Sequence, residues 1–397
     1  MRTLLVRSPE EFRTRQAIEV FLKHRAVRID TTRQEVEFED LEKGGTKRIG
    51  YDRLVLATGA RSRRLGLPGE EAPNFFTLKD LQDGVRIREF VDRKKPATAL
   101  ILGSGYIGLE MAESFRRRGM DVLILHRGSR PAGRMEPEIS AEILKELERN
   151  KVGFLPGQEL LGFRKDGQGE IVEVCTNQGS YETDLVLAAL GVVPNTEIAR
   201  EAGVALGPTG AIRTDAGQRT NLPEVFAAGD CCETYHLVLE DFVHVPLGDV
   251  ANKQGRVAGL NAAGGSTAFP GIVGSQCFQI FSLQVASTGI SEQAARQKGW
   301  DTATQVVEAP SKVHYMPGAS PVLLKLVFER SSGRILGAHM AGREGVARRI
   351  NTLALAVQAR LTVQEVARMD FAYAPPFSPP LDPILVAAEQ ALKKLSQ

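Results

Sequence analysis

The clearest pattern of hydrophobic and polar positions lies at residues 98–130. Residues 98–102 (TALIL) and 121–125 (DVLIL) are apolar runs of strand length. Between them, apolar residues recur at helical spacing over residues 109–118, and Gly119 follows as a helix-ending residue. Parallel strands that are buried on both faces read as near-continuous apolar runs. The pattern therefore predicts a complete βαβ unit.

The same patterns predict other elements along the chain. A helix is predicted to start with Ser8 as its cap and Pro9 at its first position, and to run to residue 21 or 22. Further helices are predicted at residues 78–91 and 138–149, and strands at residues 98–102, 121–125 and 184–189. Residues 27–38 predict a hairpin with a following strand, whose turn is expected at Lys43-Gly44-Gly45, and residues 154–174 predict short strands separated by glycine-rich turns. Two more apolar strands run into glycine turns, at Gly59 and Gly229. These alternating elements indicate an α/β chain.

The turn inside the βαβ unit carries the first candidate chemistry. Its residues, Gly103-Ser-Gly105-Tyr-Ile-Gly108, form a G-x-G-x-x-G pattern between a strand and a helix. In this context the first glycine makes the tight turn, the second lets the backbone approach a pyrophosphate, and the third allows close helix packing. The phosphates then meet the helix N-terminus. The unit therefore predicts dinucleotide binding, whereas a glycine turn alone would be weak evidence.

The residues after the second strand bear on which dinucleotide is bound. An Asp or Glu at this place holds the ribose 2′-hydroxyl of NADH, but this chain has His126-Arg127, with Arg130 and Arg134 close behind. Cationic side chains favour a 2′-phosphate, so we predict a preference for NADPH over NADH. Solvated surface arginines are the alternative.

Composition narrows the classes of function. The 397 residues suffice for two or three domains, and the formal net charge is only +2, without a basic stripe that would indicate nucleic-acid binding. No apolar run reaches membrane-spanning length, and the first residues lack the apolar core of a signal peptide, so we expect a cytoplasmic protein. The four cysteines and six histidines show no metal-ligand spacing, and we expect no structural metal.

Several motifs, taken in order, resemble those of the FAD-dependent pyridine nucleotide-disulfide oxidoreductases. They are ATGA (57–60), GSGYIGLE (103–110), GVVPNT (191–196) and VFAAGD (225–230). The segments at 246–256, 286–290, 315–319 and 372–378 are similar to the branch of coenzyme A disulfide reductase, NADH oxidase and NADH peroxidase. The resemblance covers the whole chain. It implies a two-dinucleotide α/β architecture with a C-terminal α+β dimerisation domain.

The resemblance also implies domain limits and cofactor contacts. The FAD domain would occupy 1–75 and 201–268, the NAD(P)H domain 76–200 and the dimerisation domain 269–397. The implied FAD contacts are Thr58, Gly59, Gly229, Asp230, Pro246, Leu247 and Ala251. The implied NAD(P)H contacts are Gly103, Gly105, Tyr106, Ile107, Gly108, His126, Arg127, Gly191 and Val192. Asp230 would bind the ribityl chain, and the helix after Pro246 would direct its positive pole to the pyrimidine end of the flavin.

Three tyrosines are implied near the active site of a homodimer. Tyr106 would gate the nicotinamide, while Tyr315 and Tyr373 would reach toward the active site of the partner subunit. For Tyr315 and Tyr373 a plain role as interface or core aromatics has equal weight.

The chain departs from the family pattern at its start. Family members open with a G-x-G-x-x-G unit for the ADP half of FAD, followed by a redox-active cysteine, and neither precedes Tyr51 here. We expect that on the order of 50 residues of the family pattern are absent, since a βαβ unit alone takes about 30. Apolar surface left uncovered in this way would make the isolated chain prone to aggregation.

No cysteine in the chain replaces the missing one by pattern. Cys231 and Cys232 follow Asp230, but adjacent cysteines form only a strained bridge, so we interpret them as reduced thiols. Cys175 and Cys277 lie in strand-like runs and are predicted to be buried.

Three hypotheses for function follow. In the first, NADPH reduces FAD by hydride transfer, and the electrons reach a disulfide, polysulfide or peroxide through a cysteine outside this chain. In the second, reduced flavin passes electrons to oxygen or a protein without a cysteine. In the third, the chain is an inactive NADPH-binding dimer.

Overall fold

The computed structural model describes residues 6–395. Its helices are α1 (Pro9–Gln16), α2 (Leu81–Lys94), α3 (Tyr106–Arg117), α4 (Pro137–Arg149), α5 (Glu197–Glu201), α6 (Gly248–Ala262), α7 (Glu292–Gln297), α8 (Val346–Gln358), α9 (Val363–Val366) and α10 (Pro383–Leu392). Its strands are β1 (His24–Asp30), β2 (Glu35–Asp40), β3 (Thr46–Gly50), β4 (Leu54–Leu56), β5 (Ala60–Ser62), β6 (Phe75–Thr77), β7 (Thr98–Leu102), β8 (Asp121–Leu125), β9 (Val152–Leu155), β10 (Leu160–Lys165), β11 (Ile171–Thr176), β12 (Gly179–Glu182), β13 (Val186–Ala188), β14 (Val192–Pro194), β15 (Val225–Ala227), β16 (Thr234–His236), β17 (Asp241–Val243), β18 (Gln276–Ile280), β19 (Leu283–Gly289), β20 (Thr302–Pro310), β21 (Pro321–Glu329) and β22 (Ile335–Gly342).

The described residues divide into two compact units. The first unit holds the chain up to Ala60 together with Pro194–Glu233 and His244–Phe269. The second unit holds Arg61–Val193, Thr234–Val243 and the chain from Pro270 onward. The domain limits predicted from the sequence stay a prediction, and their end points at residues 1 and 397 lie outside the described residues.

The first unit contains a parallel strand pair and an antiparallel meander. Strands β4 and β15 pair in parallel, with Leu56 opposite Ala227, so that both strands end at the same edge. The meander has the order β1-β2-β3, and its predicted turn at Gly44 and Gly45 is confirmed. A small core joins the pair to α5. Its buried members are Ile29, Leu56, Ala199, Val204, Ile212, Val225, Ala227, Cys231 and Cys232.

The second unit is built around a five-stranded parallel sheet with the order β6-β13-β7-β8-β9. The predicted strands at 98–102 and 121–125 are confirmed as β7 and β8, which pair in parallel register. Helix α3 buries Gly108, Leu109, Ala112 and Phe115, the face that its three- and four-residue spacing predicts. This arrangement is a doubly wound sheet of the Rossmann type, so the α/β fold class is confirmed.

The C-terminal part of the second unit is an antiparallel sheet with two helices on it. Its strand order is β18-β19-β22-β21-β20, and α8 and α10 contact the sheet. Every residue of β22 is buried, because this strand lies between β19 and β21 and beneath α8. The α+β character predicted for the C-terminal region is confirmed.

Two local predictions are wrong. The first helix does begin after Ser8, whose hydroxyl and Glu11 form a capping box, but it ends at Gln16 rather than at 21 or 22. Ala17 adopts a left-handed φ of 53°, which an α-helix cannot continue through. Cys277 is exposed rather than buried, because β18 is an edge strand on which alternate side chains face solvent. Cys175, which was also predicted to be buried, is half-buried on β11.

Candidate cofactor-binding sites

The turn between β7 and α3 accepts only glycine at its first position. Gly103 has a φ of 101°, and a Cβ on this residue would lie 2.6 Å from the carbonyl oxygen of Ala189. A side chain is therefore excluded both by backbone conformation and by contact. The turn brings the end of β13 against the glycine pattern, because Ala189 also donates its N–H to the carbonyl of Leu102 at 2.8 Å.

The next two glycines differ in what surrounds them. Gly105 is the N-cap of α3, makes no side-chain cap, and has nothing within 4 Å of an added Cβ. A Cβ on Gly108 would lie 2.3 Å from the carbonyl oxygen of Gly103. The first turn of α3 leaves amide groups without intrahelical acceptors, as every helix N-terminus does. The arrangement offers an anion-binding helix end with open approach at Gly105.

The end of β8 carries no carboxylate at the place where NADH sites have one. The backbone of His126 is fixed by Leu155, whose carbonyl accepts its N–H at 3.0 Å, and by the N–H of Gln158, also at 3.0 Å. Burial, and then the charge of Arg127, lower the pKa of the His126 imidazole, so the ring is neutral at pH 7. Arg127 is exposed to solvent.

The arginines that follow are divided between solvent and the chain itself. Arg134 is exposed. Arg130 is half-buried and directs Nη2 toward the carbonyls of Gly133 and Met135, at 3.4 and 3.5 Å. Its buried Nε has no partner among the described residues, and neither has the buried hydroxyl of Ser104 in the glycine turn. Both are hydrogen-bond donors, which suits a ligand that carries phosphate groups. The residues present therefore fit a dinucleotide.

Gly191 and Val192 lie two and three residues beyond Ala189, which contacts the glycine turn. Gly191 has a φ of 85° and accepts the N–H of Arg63 at 2.9 Å. The structure thus brings the segment with Gly191 to the same edge of the parallel sheet as Gly103. In open α/β sheets, ligands bind at the carboxyl ends of the strands.

A second candidate site lies within the first unit, where β4 and β15 end. Thr58 donates its hydroxyl to the carbonyl of Asn195 at 2.6 Å, and Asn195 returns its amide to the carbonyl of Thr58 at 2.9 Å. Thr58 is exposed, and nothing lies within 4 Å of an added Cβ on Gly59. This turn is held rigidly and presents an open surface to a ligand.

The turn after β15 and the start of α6 complete this site. Gly229 has a φ of 86°, donates its N–H to Gln254 at 2.8 Å, and would place a Cβ 3.6 Å from the methyl group of Ala251. His244 bonds through Nε2 to the carbonyl oxygen of Asp230 at 2.8 Å. Helix α6 begins after Leu247, beyond Pro246, without a side-chain cap. A carboxylate, an uncapped helix end and open backbone fit the sugar, phosphate and ring oxygens of a flavin nucleotide.

The adjacent cysteines are buried beneath this site. Their sulfur atoms are 3.7 Å apart, and no cysteine of the chain is bonded to another. The hydrogen bond from Cys232 lowers the pKa of the Cys231 thiol to about 6, and the same contact together with burial raises that of Cys232. Both thiols belong to the core of the first unit.

The three tyrosines named from the sequence are accessible. Tyr106 is the first residue of α3 and is 38% exposed, while Tyr315 is 66% and Tyr373 49% exposed. The loops that carry the last two meet, since Val313 donates its N–H to the carbonyl of Pro375 at 3.4 Å. Tyr373 borders a surface pocket that Arg348 and Phe377 also line.

The second unit also contains an ionic cluster around a buried lysine that no sequence pattern predicted. The ammonium of Lys325 lies within 3.1 Å of carboxylate oxygens of Glu136, Glu138 and Glu292. A signal existed, because Lys325 interrupts an otherwise apolar strand. Its acidic partners could not be named from the sequence. Within residues 6–395, no group of His, Cys, Asp and Glu has an arrangement that holds a metal ion.

No helix among the described residues is long and apolar enough to span a bilayer.

Comparison with known families matches most of the chain. Residues 4–255 match the family described as pyridine nucleotide-disulphide oxidoreductase. Residues 276–382 match the dimerisation domain of the same family.

Two curated proteins and a solved structure are similar to this chain over most of its length. A protein of Pyrococcus furiosus named NAD(P)H sulfur oxidoreductase (CoA-dependent) is 35% identical over 96% of this chain and 84% of its own length. A Methanocaldococcus jannaschii protein named NADH oxidase is 30% identical over 99% of this chain and 87% of its own. Among solved structures, a NAD-dependent persulfide reductase from A. fulgidus is 35% identical, with a TM-score of 0.94, over 98% of this chain and 72% of its own. These names agree with the branch that the sequence motifs indicated.

Proposed function

The chain belongs to the pyridine nucleotide-disulphide oxidoreductase family, and on this premise we propose that it is an NAD(P)H-dependent flavoprotein oxidoreductase. Its substrates would be NAD(P)H and a disulfide, polysulfide or peroxide acceptor. For a disulfide the reaction is NAD(P)H + H⁺ + RSSR → NAD(P)⁺ + 2 RSH. The observation that carries the proposal is the glycine turn before α3, in a chain that matches the family along most of its length.

The roles of the chain's own residues follow from their chemistry. Bound FAD supplies the redox chemistry, because it accepts a hydride and passes electrons on. Gly105 and the first turn of α3 would bind the pyrophosphate of NAD(P)H. Thr58, Gly59 and Gly229 would hold the flavin nucleotide, with Asp230 accepting hydrogen bonds from the ribityl hydroxyls. The start of α6, from Pro246 through Leu247 to Ala251, would direct its N–H groups to the flavin ring oxygens.

We propose NADPH rather than NADH as the preferred reductant. His126 is neutral and half-buried, Arg127 is exposed, and no carboxylate follows β8 to accept the ribose 2′-hydroxyl. A guanidinium pairs well with phosphate, so the 2′-phosphate of NADPH has a partner that NADH lacks. The A. fulgidus structure is of a NAD-dependent enzyme, so this preference rests on the residues of the present chain.

A second candidate function is that of an oxidase that passes electrons to oxygen. Both cysteines of the first unit, Cys231 and Cys232, are buried, which favours an acceptor that needs no exposed thiol. The relative named NADH oxidase supports this alternative. The third hypothesis, a non-catalytic NADPH-binding dimer, has no observation of its own to favour it.

An acceptor assay separates these functions. NADPH consumption is followed at fixed enzyme concentration with coenzyme A disulfide, polysulfide, hydrogen peroxide or oxygen as the acceptor. Faster consumption with a sulfur acceptor or peroxide supports the first function, and consumption with oxygen alone supports the oxidase. No consumption with any acceptor would contradict both. The Cys232→Ala variant is the control for a role of the buried cysteines. It should show the same acceptor preference as the unchanged protein, because the thiol of Cys232 is buried and out of reach of an acceptor.

We also propose a homodimer. The match of residues 276–382 to a dimerisation domain supports it, as do the accessible side chains of Tyr315, Tyr373 and Phe377 on the same unit. A cytoplasmic location stays a prediction from the sequence.

A further inference from the structure

Lys325 is a charged residue in the middle of a buried strand. Only 4% of its side chain is exposed, and its ammonium lies 2.9 Å from Glu136, 3.1 Å from Glu138 and 3.0 Å from Glu292. Burying such a cluster is expensive, and apolar residues of similar volume would often be as stable. The cost calls for a role beyond stability.

The ammonium stays charged in this place. Burial by itself would lower the pKa of Lys325, but the hydrogen bonds that it donates to Glu136 and Glu292 outweigh burial and raise it. The imidazole of His339 lies opposite Lys325 on β22 and is neutral at pH 7, because burial lowers its pKa to about 4. Lys325 therefore carries its positive charge near neutral pH.

Glu136 is the member of the cluster that connects it to the candidate nucleotide site. It is the N-cap residue of α4, yet its side chain does not cap that helix. Its carboxylate instead accepts the backbone N–H of Glu292 at 2.6 Å and pairs with Lys325. The carboxylate thus ties the start of α4 to α7 and β21 within the second unit.

Glu136 is also the last residue of the segment that follows β8. We call residues 126–136 the nucleotide loop, because they carry Arg127, Arg130 and Arg134. The loop contacts the glycine turn at its middle, where Ala132 donates its N–H to the carbonyl of Ser104 at 3.0 Å. Ala132 has a left-handed φ of 48°, which a non-glycine residue adopts at a cost and keeps only when its surroundings impose it.

The start of the loop is held by backbone hydrogen bonds, since His126 bonds to Leu155 and Gln158 and the carbonyl of Gly128 accepts the N–H of Gly157 at 3.2 Å. Further along the loop, two polar contacts attach it to other elements: the bond from Ala132 to the glycine turn, and the carboxylate of Glu136 in the Lys325 cluster. Met135 is buried between them, and its N–H bonds to the carbonyl of Ala132 at 2.7 Å. With the second attachment lost, the loop would keep the bond from Ala132 to Ser104 and the packing of Met135, but it would lose the contact that fixes its last residue to α7 and β21. The segment from Ala132 to Glu136 would then be freer to move.

We propose that Lys325 is a positioning residue for the nucleotide loop, acting through its ion pair with Glu136 to hold the loop arginines in place for the 2′-phosphate of NADPH. The inference rests on the proposed function, since it assumes that this loop meets the nucleotide. Lys325, on a strand of the C-terminal sheet, thereby becomes a determinant of nucleotide specificity. It is far from the nucleotide loop in sequence, since its ion-pair partner Glu138, just after the loop, lies 187 residues before it.

The test uses two changes in the cluster and a matched control. Glu136→Gln keeps the size and one acceptor of the side chain but removes its charge, and Lys325→Met removes the ammonium. Lys145→Met is the control, because Lys145 forms a 2.7 Å pair with Glu142 on the same helix α4 but is largely exposed. Dissociation constants for NADP⁺ and NAD⁺ are measured by calorimetry on the whole chain. Hydrogen exchange is measured for the peptide that covers residues 126–136.

Both cluster variants should weaken NADP⁺ binding about tenfold and NAD⁺ binding less than about twofold, and speed exchange in the nucleotide loop. The control should change neither. Unchanged loop exchange in Glu136→Gln would overturn the proposal, and so would an equal loss of affinity for both nucleotides. Should Lys325→Met fail to fold, the isosteric Glu136→Gln decides alone. If the unchanged protein bound NAD⁺ as tightly as NADP⁺, the proposed NADPH preference would be refuted. Hydrogen exchange of residues 126–136 would still test whether Lys325 holds the nucleotide loop in place.

Discussion

At the scale of single residues, two glycines of the G-x-G-x-x-G pattern, Gly105 and Gly108, are needed for different reasons. A Cβ on Gly108 would collide with the backbone of Gly103, whereas a Cβ on Gly105 would meet no protein atom within 4 Å. Gly105 has a φ of −70°, which alanine adopts freely. The fold therefore requires glycine at 108, and only a ligand would require it at 105.

Alanine at these two positions should affect different properties, stability at 108 and nucleotide binding at 105. We expect Gly108→Ala to lower the free energy of unfolding by about 1–3 kcal/mol, the range for overpacked sites. Gly105→Ala should leave stability unchanged but weaken NADP⁺ binding about tenfold or more, because the methyl group blocks approach of the pyrophosphate. Urea unfolding and calorimetric titration measure the two effects. Equal NADP⁺ affinity in Gly105→Ala and the unchanged protein would argue against a pyrophosphate at this turn.

The residue after β8 should decide the choice of reductant. His126→Glu places a carboxylate where it can accept the ribose 2′-hydroxyl and repel a 2′-phosphate. We expect the ratio of kcat/KM for NADPH to that for NADH to fall at least about tenfold, the effect of one charge-assisted hydrogen bond. His314→Glu, at an exposed histidine elsewhere, is the matched control. An unchanged ratio in His126→Glu would refute the assignment of the 2′-phosphate site.

At the scale of elements, strand β22 carries a histidine that makes the fold sensitive to acid. His339 is 4% exposed, neither ring nitrogen has a partner among the described residues, and burial lowers its pKa to about 4. A histidine in an unfolded chain titrates near 6.5. Between these values the unfolded state binds more protons, so stability rises with pH and is lost as the pH falls from 6.5 toward 4.

Removing this histidine should flatten the pH dependence of stability. The shift corresponds to about 3 kcal/mol in full, of which about 2 kcal/mol falls between pH 7 and pH 5. We expect His339→Gln to lose that much less stability than the unchanged protein over this interval in urea unfolding. The exposed His314→Gln serves as control and should not alter the slope. A parallel slope in His339→Gln would show that His339 is not the group responsible.

The elements also show what the sequence could predict. Strands β7 and β8 could be predicted from apolar runs bounded by turn residues, because a strand that is buried on both faces is apolar at nearly every position. The end of α1 did not follow, since the left-handed conformation of Ala17 carries no local signal in the sequence. Cys277 was misplaced because its burial depends on β18 lying at a sheet edge, which is a property of the assembled sheet.

The candidate sites divide in the same way. The glycine turn and the residues after β8 are local in sequence, so a pattern identifies them. The partners of Lys325 come from two other elements, and nothing in the strand around Lys325 names Glu136 or Glu292. A lone lysine in an apolar strand nevertheless indicates that it pairs with carboxylates in the folded protein, because a lysine is almost never fully buried unless it is paired.

At the scale of the whole molecule, the chain should associate in pairs. The exposed aromatic side chains Tyr315, Tyr373 and Phe377 belong to the unit that matches a dimerisation domain. We expect light scattering coupled to gel filtration to give twice the chain mass of 43.2 kDa. Phe377→Asp should shift the protein toward the monomer, because a charge buried at an apolar interface is unfavourable. Leu161→Asp, at an exposed leucine of the antiparallel sheet β10-β11-β12, is the control. A monomeric unchanged protein would refute the dimer.

The most direct measurement of the central claim is a visible absorption spectrum of the purified 397-residue chain, recorded without oxygen before and after addition of NADPH. The proposed function predicts a flavin absorption band in the purified protein that bleaches when NADPH is added. That result would show that the chain holds FAD and that hydride reaches it. A colourless protein, or a flavin band that NADPH leaves unchanged, would contradict the assignment of this chain as an NADPH-dependent flavoprotein oxidoreductase.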